Sequence, residues 1–184
     1  MSELKKYSYC SYCGHRFQAN QEWPRRCAHC HEIAYRNPVP VSVVLIPVDG
    51  GLLVVRRNLD PGRGRLALPG GFIELPETWQ EAGAREVLEE AGIVIDAQRL
   101  TPFRVYSAPD GTLLIFGLAP PWTGSLPPFL PGPESSERLV IGQPMEMAFT
   151  LHSRVVAEYF QEFAGLAGRN KDYKADEIAA RFSS

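Results

Sequence analysis

No apolar run in this 184-residue chain approaches the eighteen or so residues of a membrane span, which sets aside a helical membrane protein. Neither sign of charge dominates. Lys and Arg number 19 against 21 Asp and Glu, for a formal net charge of −2, and a pI near 6.1 argues against bulk electrostatic capture of nucleic acid. Cysteine is scarce, at four residues. No leader precedes the first of them and nothing else points to an oxidising compartment, so a cytoplasmic protein is expected.

Those four cysteines form a pattern. Cys10-Ser-Tyr-Cys13-Gly14 and Cys27-Ala-His-Cys30 make C-x2-C, thirteen residues, C-x2-C, a spacing of the zinc-site type. Four thiolates so placed suit a closed tetrahedral Zn²⁺ site that leaves no position for substrate, so the metal would be structural. The competing reading is a pair of disulfides in an exported protein. His15, His29 and His31 crowd the two knuckles as neighbours rather than as a fifth ligand. Residues 1–36 hold six Lys or Arg and three Asp or Glu, against thirteen and eighteen in the remainder. A zinc tetrathiolate contributes −2 and cancels most of that positive excess. With few large aliphatics, these 36 residues need a metal to fold.

The densest chemistry lies in residues 71–93, GFIELPETWQEAGAREVLEEAGI. Thr78 and Glu81 form a T-x-x-E capping box and Gly92 is a natural stop, which predicts a helix over about 79–91. On that helix Glu86, Glu89 and Glu90 stand at i, i+3 and i+4. Three carboxylates on one face repel one another unless cations sit among their oxygens, so the arrangement reads as a metal site for phosphate chemistry. Upstream, residues 66–72 read as a short apolar strand entering a Gly70-Gly71 turn, where backbone without Cβ atoms can approach a ligand closely.

The order Gly71, five residues, Glu77, seven residues, Arg85-Glu86-Val87, one residue, Glu89-Glu90, one residue, Gly92-Ile93 resembles the Nudix box of the Nudix hydrolases, with every defining position filled. The resemblance implies catalytic Mg²⁺ or Mn²⁺ bound by Glu86 and Glu90, by Glu89 directly or through water, and by a backbone carbonyl near Gly70 or Gly71. It implies Arg85 as an orienting partner for a box carboxylate and Glu77 as a brace for the loop–helix junction. The catalytic base is left open. With the cysteine pattern, the chain is similar to the zinc-ribbon branch of the family that acts on NADH, ADP-ribose or FAD. The expected organisation is a zinc ribbon over residues 1–36 and a Nudix hydrolase domain over residues 37–184, of α+β class, its mixed β-sheet packed between helices.

Several further expectations follow along the chain. Residues 41–48, the Asp49-Gly50-Gly51 turn and residues 52–56 describe a hairpin, and residues 100–106 with 112–118 a second one. Arg57, Arg63 and Arg65 flank a polar loop and either hold substrate phosphate or are surface charge. The proline-dense stretch 119–133 is either a rigid connection or a lid on which Trp122 stacks a nucleobase. Residues 131–135, PGPES, resemble a stretch of the zinc-ribbon members in which an acid returns to the metal, with Glu134 favoured over Glu137. An amphipathic helix over about 151–166 contributes core packing, and the charged tail from Lys171 suggests a terminal helix.

The NADH-cleaving members carry the signature SQPWPFPxS after the box, where this chain reads Val105-Tyr106-Ser107-Ala108-Pro109-Asp110-Gly111. ADP-ribose or FAD therefore moves ahead of NADH, with AMP and a phosphorylated remainder as products. The alternative is a non-catalytic regulatory Nudix protein whose ribbon contacts nucleic acid or a protein. Otherwise the expected partner is a small nucleotide, and a homodimer stays open.

Overall fold

The computed structural model describes residues 6–163. The chain divides into two compact units after Pro38.

The first unit is built on two matching turns. Gly14 N–H donates to the Cys10 carbonyl (2.9 Å) and His31 N–H to the Cys27 carbonyl (3.1 Å). Both residues closing these turns take left-handed backbone angles, φ 73° at Gly14 and 63° at His31. The first knuckle is flanked by a bridge between Tyr9 and Arg16. The second is flanked by the two-residue strands β1 (Arg25–Arg26) and β2 (Ile33–Ala34), paired antiparallel. Cys10, Phe17, Cys27 and Ala34 are the buried apolar groups, with Trp23 packed against them. That is too small a core to hold such a unit unaided.

Among the described residues of the second unit two sheets lie between two α-helices. Strand β3 (Val39–Leu45) pairs in parallel with a later strand, and after Ile46 the chain continues as β4 (Pro47–Val48) in the other sheet, paired antiparallel with β5 (Gly51–Arg57). The hairpin expected over residues 41–56 is thus only its inner end. The apolar run is two strands that switch sheets, and it is continuous because both faces are buried. The same switch occurs again. Strand β6 (Leu66–Ala67) pairs with β5, Pro69 interrupts, and β7 (Gly70–Phe72) pairs with β3. Gly70 and Gly71 are therefore strand residues opposite Val43 and Ser42, not a turn.

Helix α1 (Trp79–Ala91) has the expected bounds. Its capping box closes through Thr78 and Glu81, and Gly92 ends it in left-handed geometry with φ 67°. Gly83 lets the helix lie close on β3: an ideal Cβ there would stand 2.8 Å from both Ser42 Oγ and Val44 Cγ2. Ser42 Oγ also donates to the Trp79 carbonyl (2.7 Å). Strands β8 (Thr101–Ser107) and β9 (Thr112–Leu118) form the second expected hairpin, giving the mixed sheet order β7-β3-β9-β8. Strand β10 (Ser135–Ile141), for which no element is expected above, pairs antiparallel with β5. Helix α2 (Thr150–Phe163) closes the described chain. The expected continuation to Leu166 and the tail from Lys171 lie outside the described residues.

Alternation divides the core. Val43, Leu45, Leu52 and Val54 face a cluster with Phe116, Val155, Val156 and Tyr159, whereas Val44, Ile46, Leu53 and Val55 face one with Val87, Ala91 and Ile93. Each helix thus covers one side of the strands, an α+β arrangement of mixed sheet between helices.

Candidate functional site

The glycine strand and the acidic helix meet at their closest approach. Gly70 N–H donates to Glu90 Oε2 (3.0 Å), and a Cβ on Gly71 would stand 2.3 Å from Glu86 Oε1. A Cβ on Gly70 would meet the Ser42 carbonyl oxygen at 2.3 Å. Glycine at both positions is a demand of space, not of turn geometry.

Glu86, Glu90 and Glu134 each offer a carboxylate oxygen, all within 4.8 Å of one another. Glu86 and Glu90 are buried, Glu134 exposed. Burial pushes Glu90 up to about 7, with the Glu86 and Glu134 charges adding to the rise, while the Gly70 N–H and Arg57 oppose it. Burial also raises Glu86, against the pull of Arg85. Two buried carboxylates beside a third make a hard-oxygen set that fits a divalent cation and is costly without one.

Arg85 braces the cluster. It donates through Nε and Nη2 to the two oxygens of Glu77 (3.1 and 2.8 Å), and through Nη1 to Glu86 Oε1 (2.7 Å). Nη2 also reaches the Phe72 carbonyl (3.0 Å), tying helix, loop and strand together. The same pairing holds the Glu77 carboxyl below its ordinary range. Glu89 is exposed, accepts from Arg85 Nη1 at 3.3 Å and stands outside the group of three.

The segment carrying Glu134 is held by residues that sequence reasoning does not single out. Asn58 N–H donates to the Glu134 carbonyl (2.7 Å), and Gly132 N–H to the Ser135 carbonyl (2.8 Å). Arg138 donates to the Ala91 carbonyl at the end of α1 (2.7 Å) and to the Pro127 carbonyl. The apolar alternation of Leu139 and Ile141 was the signal that residues 135–141 are a strand, and with it that Glu134 sits at a strand end. Glu137 instead pairs with Arg56 (2.7 Å).

The other sequence candidates are placed as follows. Arg57 lies near enough for its charge to oppose the rise at Glu90 and to add to the burial that lowers His152, with its guanidinium 5.0 Å above the Phe149 ring. Arg63 is exposed and 3.9 Å from Asp60, and Arg65 is engaged by Glu146 (2.6 Å) and the Met147 carbonyl (2.7 Å). Trp122 packs against the α1-side core, its backbone bridging to Val48 and its Nε1 buried without a partner among the described residues. Phe129 lies 5.5 Å below the Arg138 guanidinium.

In the first unit Cys10, Cys13, Cys27 and Cys30 bring their sulfurs within 4.8 Å of one another. The Cys10–Cys30 and Cys13–Cys27 separations are 3.7 and 3.6 Å, and all four are free thiols, not disulfides. A tetrahedron with Zn–S bonds of ~2.3 Å has edges of about 3.8 Å, so the four sulfurs fit such an ion.

No helix among the described residues is long and apolar enough to cross a membrane. Over 114 residues the chain is 33% identical to the NAD-capped RNA hydrolase NudC of Edwardsiella ictaluri, and over 113 residues 33% identical to that of Shigella flexneri. Each match takes in 61% of this chain and 44% of the relative, so the chain spans less than half the length of these curated relatives. The crystal structure of a NUDIX hydrolase from Nitrosomonas europaea superposes with a TM-score of 0.71 at 28% identity, covering 86% of this chain and 93% of that one. The family model for the NUDIX domain matches residues 36–148, which hold the glycine strand, the acidic helix and Glu134, and the chain belongs to the NUDIX family.

Proposed function

We propose that the protein is a divalent-metal-dependent pyrophosphohydrolase that cleaves the diphosphate of a nucleoside diphosphate joined to a second group. The observation that carries this is the convergence of Glu86, Glu90 and Glu134 within 4.8 Å beside the bare backbone of Gly70 and Gly71. Mg²⁺ or Mn²⁺ bound there would neutralise diphosphate oxygens and lower the pKa of the attacking water. Glu86 and Glu90 supply buried anionic oxygens, Glu134 a third from the solvent side, and Glu89 an exposed carboxylate within reach of a bridging water. Arg85 holds the Glu86 rotamer so that the cage is formed before substrate arrives. Arg57 is the arginine of the three best placed to meet a phosphate, because its charge already acts on Glu90 while its Nε is held by the Pro61 carbonyl (2.9 Å), whereas Arg65 is paired with Glu146 and Arg63 stands exposed beside Asp60. Cys10, Cys13, Cys27 and Cys30 hold a structural Zn²⁺ that keeps residues 1–36 folded. Nothing in this reading calls for nucleic acid or a second copy of the chain.

ADP-ribose or FAD is the preferred substrate, giving AMP with ribose 5-phosphate or FMN. Residues 105–111, which stand where the NADH signature would, run from the end of β8 into the turn before β9, and the absence of that signature supports this order. The relatives named as NAD-capped RNA hydrolases keep an NAD linkage in the comparison. With kcat/KM measured for ADP-ribose, FAD, NADH and a nucleoside triphosphate at one Mg²⁺ concentration, ADP-ribose or FAD should lead. A lead of about tenfold or more for NADH or the triphosphate would overturn the preference.

Gly71→Ala tests the approach of strand to cluster. The added methyl meets the end of a flexible side chain, so the fold yields cheaply by letting the Glu86 carboxylate swing away. We expect the melting temperature to stay within a few degrees while turnover falls about tenfold or more, as for a displaced ligand support. Parent-like turnover would show that Glu86 need not stand where it does.

A further inference from the structure

His152 is the one buried imidazole of the second unit, 5% exposed in the first turn of α2, and the proposed reaction makes no use of it. Its Nδ1 accepts from the backbone N–H of Leu68 (3.3 Å). Leu68 sits where the chain leaves β6 in one sheet for β7 in the other, so its N–H belongs to neither ladder. Next in sequence, Pro69 has no N–H, and its carbonyl accepts from Val44 (2.9 Å). Then comes Gly70, whose N–H holds Glu90, and Gly71, against which Glu86 rests. A buried amide without an acceptor costs more than a lost bond is worth, so the partner of Leu68 decides how firmly the crossing is held.

The surroundings keep this acceptor unprotonated. His152 is packed by Phe116 (centroids 5.6 Å apart) and Phe149 (5.1 Å), and the Phe149 ring also carries the Arg57 guanidinium, 5.0 Å from its centroid. Burial, helped by the Arg57 charge, pushes the imidazole down to about 3. With Nδ1 accepting, the single ring proton of the neutral form is on Nε2. A group so enclosed cannot trade protons with a substrate, which excludes it as the general base.

We infer that His152 is a positioning residue: by accepting the Leu68 N–H at the sheet-to-sheet crossing, it fixes the Gly70-Gly71 strand against the Glu86 and Glu90 carboxylates. The catalytic consequence rests on the function proposed above, but the structural one does not. Strain or slack at the crossing passes along two residues of backbone to the hydrogen bond at Glu90, which makes α2 part of the support for a site built on α1.

Two variants separate the acceptor from the bulk of the ring. His152→Leu keeps an apolar group but leaves the Leu68 N–H unpaired, whereas His152→Asn places Oδ1 near the position of Nδ1. In metal-free protein, amide hydrogen exchange should quicken at both Leu68 and Gly70 in His152→Leu and return toward the parent rate in His152→Asn. The Mg²⁺ concentration giving half-maximal activity should rise about tenfold in His152→Leu and recover with Asn. If Gly70 exchange is unchanged in His152→Leu, or if Asn and Leu behave alike in both measurements, the inference is overturned. If exchange responds as expected while no diphosphate is cleaved by the parent, the positioning stands and the proposed activity falls. Should His152→Leu not fold, His152→Asn alone decides: loss of Gly70 protection despite a folded chain counts against the inference, and retention supports it.

Discussion

Glu90→Gln should lower turnover by roughly 10²-fold or more at saturating Mg²⁺ while making the metal-free protein more stable. The two effects share a cause. Glu90 is buried beside Glu86 and Glu134, and its carboxyl is pushed up to about 7. Folded protein therefore binds a proton more tightly than the unfolded chain, so between about pH 4.5 and 7 the metal-free stability declines as pH rises. Above that window the anion is present and its burial cost is felt in full. A neutral amide keeps an oxygen for the Gly70 N–H and removes the buried charge, which should raise metal-free stability at pH 8 by about 1–3 kcal/mol and flatten the slope. Mg²⁺ should stabilise the parent in the opposite sense, more strongly as pH rises through 7, because protons and cations compete for the same oxygens. Thermal melts at pH 5 and pH 8, with and without Mg²⁺, test both halves. Activity within a factor of two of the parent would remove Glu90 from the metal site, and an unchanged pH slope would remove its buried charge from the stability balance.

This conflict between stability and chemistry was legible in the sequence, because the signals that placed α1 are local. Thr78, Glu81 and Gly92 bound the helix, and the i, i+3, i+4 offsets put the acids on one side of it. The resemblance sets Glu89 apart only by allowing it a contact through water, and the helical offsets alone do not separate it from its neighbours. Burial did that, through Gly71 and Gly70 pressing on Glu86 and Glu90 and leaving Glu89 at the rim. The sheet switches at Ile46 and Pro69 were illegible for a related reason. A run buried on both faces has no alternation to lose when it changes partners, so residues 41–48 read as one strand. Glu134 was found through resemblance, but what holds it is non-local: β10 pairs with β5 so that Ser135 lies opposite Arg57, and Asn58 then reaches the Glu134 carbonyl. His152 gave no sequence signal at all, since one histidine in an apolar helix stripe has no spacing to betray its partner.

Cys27→Ser should release zinc and unfold the first unit while leaving the second intact. Cys27 is fully buried, its N–H donates to the Glu32 carbonyl and its own carbonyl accepts from His31, so it anchors the second knuckle through both backbone and sulfur. A serine hydroxyl is a poor replacement for a thiolate toward Zn²⁺, and the remaining apolar core of Phe17, Ala34 and Trp23 is too small to compensate. Metal binding is folding free energy in a unit of this size, so removing one ligand of four should shift it from folded to unfolded rather than weaken it slightly. Elemental analysis should give one zinc per parent chain and well under half of that in the variant. Dispersion of the amide signals from residues 6–38 should collapse, while those from β3 to α2 stay in place. The box carboxylates all belong to the second unit, so diphosphate cleavage should persist within about threefold at a temperature where that unit is folded. Freshly purified parent without zinc, with Cys10 and Cys13 joined as a disulfide, would refute the metal site. A variant that loses zinc and activity together, with the second unit still folded, would show that the ribbon contributes to the reaction beyond its own folding.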